Sequence, residues 1–518
     1  MVGRRAALSH GVSLALALAG PAAVRAQEPV DQAIIVRIKQ EGFQHSQVLE
    51  SAVGLSDLNG PRPAGTPAYR SAAEWARARL AGWGLAGAAL ESWGLHTRGW
   101  ELERFSVEML APYYLRVTAF PRRWSTPTAA PVTGTAVRAR IEADSDFARY
   151  RGKLRGAIVL AGNAEPPDDR FTAPARRFTD ADLDSLAGLT APGEPRDYWA
   201  DHDGFAAGVA RRQKILQFLT GEGVAAVLEP SEVETALRVD GYWDYTTERA
   251  AGPAAFVISA DHFRRLARLV DAGRSVRLEL SLQARFTPAD SGYNVVAEIP
   301  GTDPRLRGEV VMLGAHLDSW AAGTGATDNA AGCAVVMEAV RILQAIGAKP
   351  RRTIRVALWD GEEPSEEYAG SEGYVRRHFG DPVTMRLKPE HARLSAYYNV
   401  DNGAGRIRGI YLQGNEAARP ILQAWLEPFR YLGAATVTTA NTGSTDHIAF
   451  TGVGLPGFEV IQDPLDYDAR THHTNLDVAD YLIEDDLQQA AVVMASLVYH
   501  TAMRSDKMPR PPLPEAHR

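Results

Sequence analysis

"TIRVALWDGEEPSEEYAGSEGY", residues 353–374, sets an apolar run against an acidic patch, with six carboxylates inside residues 359–374. A run such as "TIRVALW", with large and β-branched side chains, reads as a buried strand. The acidic patch on its own reads as a solvated loop. The pair Glu362 and Glu363 stands directly at the strand's end, where a loop needs no such pair.

Outward from this stretch, strand and helix alternate from "SGYNVVAEIPG" at residue 291 onward. The expected strands are "EVVMLGAHLDS", "TIRVALWDGEE", "AYYNVDN", "GIYLQG" and "LPGFEV". Helices are expected near 329–346, 371–378, 416–430 and 481–503. Such alternation predicts an α/β sheet covered by helices on both faces. Ligands in such folds lie at the carboxyl ends of the strands.

Those ends carry one chemistry. "GAHLDSW" offers His316 and Asp318, "GTGATDNAAG" offers Asp328, and "WDGEE" offers Glu362 and Glu363. "NVDNGAG" offers Asp401, and "THHTNLD" offers His472, His473 and Asp477. Mixed imidazole and carboxylate donors suit zinc and other first-row divalent ions. A carboxylate can bridge two ions and an imidazole cannot, so this donor set fits a pair of metals that activate one water. A general base must still take that water's proton. Neighbouring side chains diverge where a strand breaks, which leaves Glu363 as a ligand and Glu362 as the base. Asp318, two residues beyond His316, is expected to accept the second ring N–H of that imidazole and fix its tautomer. Asp328 heads a helix and taken alone reads equally well as its N-cap.

Upstream, residues 30–85 read as helix and loop, and 100–140 as strand. Residues 126–286 read as a separate module, with strands in "LRGAIVLAG" and "VAAVLEPS", a helix in "GFAAGVARRQKILQFLTGEG" and a strand–helix–strand run ending at "LQARF". No coherent set of catalytic residues stands out there, and a packing or substrate-gating role is expected. At 518 residues the chain is too long for one ordinary core.

Residues 1–26 read as a cleaved signal sequence, with Arg4 and Arg5, the apolar "VSLALALAG", and Val24 and Ala26 before the cut. No later segment is long and apolar enough to span a membrane, and a periplasmic or secreted protein is expected. Removing residues 1–26 takes away Arg4, Arg5 and Arg25 and no acid, which carries the formal charge from −7 to −10. That balance, with no basic stripe, argues against nucleic acid as a partner. Cys333 is the only cysteine, so no intrachain disulfide is available, and its small-residue surroundings read as helix core.

The ordered set "GAHLDSW…GATDNAAG…LWDGEE…NVDNGAG…HHTNLD" resembles the co-catalytic two-zinc aminopeptidases, and among them the carboxypeptidase Q-like exported bacterial members. "GPRPAGTPAYRSAAEWARARLAGWGL", "GSTDHIAF" and "GLPGFEVIQDPLDYDARTHHTNLD" fit the same family, and the resemblance covers most of residues 45–500. It implies a mixed central sheet with helices on both faces and two Zn²⁺ ions. Asp328 would bridge them, with His316, Asp401, Glu363 and His473 completing the shells and Glu362 as base. It implies a peptidase domain over 27–125 and 287–518, with 126–286 as an inserted, smaller, β-rich α/β protease-associated domain. His473 rather than His472 fits the family's ligand position. His472 stands where the family often has a Tyr that holds the oxyanion, and a catalytic role for it is expected on that basis. Glu366 and Glu367 carry no family role and read as a solvated rim or as a contact for a substrate ammonium group. Asp446 and His447 are near-site residues in the family pattern.

The resemblance implies an exopeptidase that acts on the N-terminus of peptides or on dipeptides, with a peptide as partner. A homodimer is compatible with the sequence. The alternatives are a carboxypeptidase, a glutaminyl cyclase and a non-catalytic binding homologue, of which the last two fit poorly with a full set of five ligands plus a base.

Overall fold

The structure, a computed structural model, describes residues 28–96, 98–166, 171–192, 198–241, 252–363 and 368–516. The expected signal sequence, Glu366 and Glu367 lie outside the described residues. Among the described residues no helix is long and apolar enough to cross a membrane.

The principal sheet runs in the order Ala86–Leu95, Ser291–Ile299, Thr353–Trp359, Val310–His316, Leu394–Asn399, Gly457–Gln462, Ile407–Tyr411 and Thr436–Thr438. Its four central strands, from Thr353–Trp359 to Gly457–Gln462, are parallel. The strands Ala86–Leu95, Ser291–Ile299 and Ile407–Tyr411 join antiparallel, so the sheet is mixed. Parallel strands are covered on both faces, which is why they read as continuous apolar runs. Alternate residues still divide between two cores. Leu313, Ala315, Val356 and Leu358 pack with the helices Ala331–Ala345 and Glu484–Met503. Met312, Ala357 and Trp359 pack with Tyr374 and Phe450 on the other face. Every residue from Ala331 to Leu343 is buried, Cys333 included, which places that helix in the middle of the larger core.

Register brings the motifs together. His316 lies opposite Trp359, and Gly314 opposite Asn399, so the segments after all three strands leave from one edge. The expected helix at 416–430 is broken. Pro420 opens the α-helix Arg419–Leu426, and Pro428 lies in the tighter 3₁₀ turn Glu427–Leu432 that follows.

A second eight-stranded sheet is built from Leu115–Arg116, Gly99–Ala111, Arg277–Thr287, Val132–Ala139, Ile158–Ala161, Ala226–Pro230, Ala254–Ile258 and Ala119–Pro121. It has its own core around Ile158, Leu228, Phe256, Phe263 and Leu280. It reaches back to Gly99, so the boundary expected at 126 falls inside it. The reason is pairing: Gly99–Ala111 lies antiparallel along Arg277–Thr287 over its whole length. The proline-rich excursion between its strands returns to the first sheet. The backbone N–H of Arg176 donates to Leu465 (2.8 Å), Thr438 donates to the carbonyl of Leu186 (2.6 Å), and Arg177 pairs with the buried Asp463 (2.8 Å) and Asp486 (2.6 Å).

Candidate metal centre

His316 is the last residue of its strand, Asp401 follows Asn399 by two residues, and Gly361 turns the chain after Trp359 with φ +73°. A left-handed turn here is easy only for glycine. The turn is pinned from the next strand. The Asp318 carboxylate accepts the backbone N–H of Glu362 (3.2 Å) and of Glu363 (3.1 Å). This adds to the expected role of Asp318. The second nitrogen of His316 lies 3.1 Å from the backbone carbonyl of Asp318 and 3.7 Å from its carboxylate. The carbonyl is therefore the nearer acceptor for that N–H, while the carboxylate faces the same ring and also holds the Glu362–Glu363 turn.

Asp328 is not a helix cap. The helix begins at Ala331 with Ala330 as its N-cap residue, no side chain caps it, and Asp328 has non-helical φ and ψ of −133° and 85°. Its flanks are fixed on both sides. The buried Asp477 accepts from the backbone N–H (2.6 Å) and hydroxyl (2.8 Å) of Thr327, while Asn329 donates to the carbonyl of Val400 (2.9 Å) and accepts from Gly332 (2.9 Å).

The result is a carboxylate with one oxygen toward each of two donor groups. Asp328 Oδ1 lies 3.2 Å from Nε2 of His316, which is itself 3.2 Å from Asp401. Asp328 Oδ2 lies 3.5 Å from Nε2 of His473, which is 3.0 Å from Glu363. His472 stands nearby, with its Nε2 3.9 Å from the same oxygen. Asp328 Oδ2 and Glu363 Oε1 are buried and accept no hydrogen bond. A buried acceptor left without a partner costs about 1–3 kcal/mol, and a divalent cation on each side of Asp328 would satisfy both atoms. The donor set fits two such ions.

The electrostatics agree. Burial, with the charges of Asp401, Glu363 and Asp446, raises the Glu362 carboxyl well above its ordinary range against the pull of His316. Burial and Asp328 raise Glu363 likewise. Burial also lifts Asp446 to about 8 and, with Asp401 beside it, Glu459 to about 8. His316 moves up although burial opposes it, because Asp401 and Glu362 favour its charged form. The protein's own groups leave this site over-negative, a condition that bound cations relieve. His447 is different: burial pushes it down to about 4, and its Nε2 lies 3.0 Å from the carbonyl of Thr442.

His473 has φ +59°, a left-handed conformation uncommon outside glycine. The second-sheet region holds it. The N–H of Val239 donates to the His473 carbonyl (2.8 Å), and Nδ1 of His473 donates to Asp240 (2.9 Å). Arg238 donates to Nδ1 of His472. No site residue is expected from the sequence in this region. Asp240 and Arg238 sit in "LRVDG", which has no periodicity or motif, and their partners lie more than two hundred residues away.

Residues 294–498 match the family model described as Peptidase family M28. This segment is similar to the M28 peptidases. Among curated proteins, the chain is 27% identical over 253 residues to carboxypeptidase Q of Bos taurus, covering 49% of this chain and 50% of that protein. It is 31% identical over 209 residues to leupeptin-inactivating enzyme 1 of Streptomyces exfoliatus, covering 40% and 43%. The chain thus matches about half the length of these curated relatives. A solved structure of a peptidase M28 precursor from Shewanella amazonensis covers 93% of this chain and 99% of its own, with TM-score 0.69 and 24% identity. The zinc aminopeptidase BSAP of Bacillus subtilis covers 89% and 95%, with TM-score 0.57 and 18% identity. These two share the fold. The segment matched by the family model holds all five candidate ligands and Glu362, whereas Asp240 and Arg238 lie outside it.

Proposed function

We propose that the chain is an exported zinc-dependent exopeptidase, periplasmic or secreted, that hydrolyses the N-terminal bond of peptides or splits dipeptides. The observation that carries this reading is Asp328, placed between His316 with Asp401 on one side and His473 with Glu363 on the other. On this reading those five residues hold two zinc ions, and residues 99–287 form a protease-associated module beside the peptidase domain. Bound zinc supplies a Lewis acid for the scissile carbonyl and a water of lowered pKa. Glu362, on the turn pinned by Asp318, takes the proton of the attacking water at its carboxylate and returns it to the leaving amine. Asp318 orients that turn, and the carbonyl of Asp318 orients His316.

The test is hydrolysis of amino-acid anilides and their N-acetylated forms, with chelator and with zinc restored. Chelator-sensitive cleavage of the free-amine substrates alone is expected. Cleavage that resists chelator, or none on any peptide, overturns the zinc peptidase reading. Equal cleavage of blocked and free substrates overturns the N-terminal specificity. Dipeptides compared with longer peptides of the same first residue separate dipeptidase from aminopeptidase action.

A further inference from the structure

Two adjacent imidazoles, His472 and His473, lie within reach of the same Asp328 oxygen, at 3.9 Å and 3.5 Å. Their ring centroids are 3.9 Å apart. Either could be offered to a cation, and distance alone hardly separates them. Their outer nitrogens face opposite chemistry. A guanidinium carries only N–H donors, and an ionised carboxylate only accepts.

We propose that residues 238–240 of the second-sheet region sort this pair into a metal ligand, His473, and a neutral N–H donor, His472. The proposal rests on the two-zinc reading above. Arg238 donates to Nδ1 of His472, so that nitrogen is an acceptor. In the neutral ring the proton then sits on Nε2, the atom that faces Asp328 and the cleft, and an Nε2–H cannot bind a cation. Asp240 accepts from Nδ1 of His473 at 2.9 Å, so Nε2 of that ring keeps its lone pair, and it lies 3.0 Å from Glu363. The carboxylate contact also raises the basicity of the ligand ring.

The backbone makes the sorting rigid. Leu237 donates to Asn475 Oδ1 (2.6 Å) and accepts from the Asn475 backbone N–H (3.1 Å), Arg238 bridges Thr474 in antiparallel fashion, and Val239 donates to the carbonyl of His473 (2.8 Å). Residues 238 and 240 are two apart along this extended segment, so their side chains leave on the same face. Arg122 donates to the backbone carbonyl of Asp240 (3.0 Å) and ties the segment to the second sheet. Tyr467 stacks on His472 at 4.6 Å and limits its rotation. The Nε2–H of His472 is thereby aimed to donate to the oxygen on which negative charge develops, where a fixed donor acts with no reorganisation. The ring of His473 is aimed at the ion shared with Glu363. The second-sheet region therefore completes the site and does not merely cover it.

The experiment uses the full chain and three variants, Asp240→Ala, Asp240→Asn and Arg238→Met. Zinc stoichiometry and affinity are measured by competition with a chromophoric chelator. Affinity for a peptide phosphinate, a tetrahedral anion, is measured by calorimetry on zinc-loaded protein. Asp240→Ala is expected to weaken one of the two zinc equivalents about 10–100-fold and leave the other unchanged. Asp240→Asn, which keeps an acceptor oxygen, recovers part of that loss. Arg238→Met is expected to keep both zinc affinities and to lose about tenfold or more in phosphinate affinity. Loss at one zinc equivalent with the other unchanged, and loss of phosphinate affinity with both zinc affinities kept, are outcomes a purely structural role would not give. Unchanged zinc binding in Asp240→Ala, or weakened zinc binding in Arg238→Met, overturns the sorting. A parent protein that takes up no zinc overturns the two-zinc reading instead, and the two failures are thus distinct.

Discussion

Replacing Arg62 with Met should destabilise the metal-free protein by about 3–5 kcal/mol, the range for breaking a buried charge network. Arg62, in "GPRPAG", is fully buried and donates to four backbone carbonyls: Leu317 (2.7 Å), Leu55 (2.9 Å), Thr324 (2.8 Å) and Gly325 (2.7 Å). Leu317 follows His316, and Thr324–Gly325 lead into Asp328, so one guanidinium ties the chain segments of two candidate ligands to the helix Val48–Ser56. A hydrogen bond to a charged group contributes about 1.5–3 kcal/mol net; the four bonds share one guanidinium and are lost together, so their sum is an upper bound on the loss. The assay is guanidinium unfolding in the presence of chelator, so that zinc binding does not add its own stabilisation. The midpoint should fall with an unchanged m-value. Arg62→Lys, with three donors on a non-planar head, should fall between Met and the parent. A loss under about 1 kcal/mol, the scale of an ordinary substitution, would refute the reasoning. It would mean that the four carbonyls find other partners.

Glu362→Gln should bind zinc as the parent does and lose about 10²–10⁴ in kcat, the usual contribution of a positioned base; a near-parental rate overturns the base assignment. Asp446 and Glu459, both lifted to about 8 by burial, and Asp477, lifted by burial and Asp328 to about 7, carry raised folded-state values. The folded state then binds more protons than the unfolded chain, so stability falls as pH rises toward 8. The melting temperature of the chelated protein should therefore drop between pH 5.5 and 8, and zinc should flatten that slope; a flat metal-free profile refutes the charge argument. Gly314→Ala would set a Cβ 2.7 Å from the Ala357 carbonyl and 2.8 Å from both Trp359 Nε1 and the Tyr397 hydroxyl. That overpacking should cost about 1–3 kcal/mol in chemical unfolding.

The parts of the site that could be read in the sequence share one physical property: they are local. A parallel strand buried on both faces is an apolar run, and a group meant for the sheet's carboxyl edge must follow within a residue or two. His316, Glu362, Glu363 and Asp401 all obey that geometry, so residue type and position together single them out as candidates. Asp318 obeyed it too, but its spacing from His316 does not say which of its oxygens faces the ring. The carbonyl is the nearer acceptor, at 3.1 Å against 3.7 Å for the carboxylate, which also holds the Glu362–Glu363 turn. The segments Gly99–Ala111 and Arg277–Thr287 are both legible as strands, but their pairing is not, so a boundary at 126 separates two partners of one sheet. Asp240 and Arg238 were invisible because nothing local marks them. The pair of histidines carries the argument furthest. Sequence supplies two identical rings side by side, and their difference is a matter of which nitrogen holds a proton. That is decided by an arginine and an aspartate on a distant segment, and no property of His472 or His473 themselves encodes it. A neighbour that selects a tautomer changes what a residue can do without changing what it is, so the chemistry of this site belongs to the pairing of residues 237–240 with 472–475 as much as to the ligands.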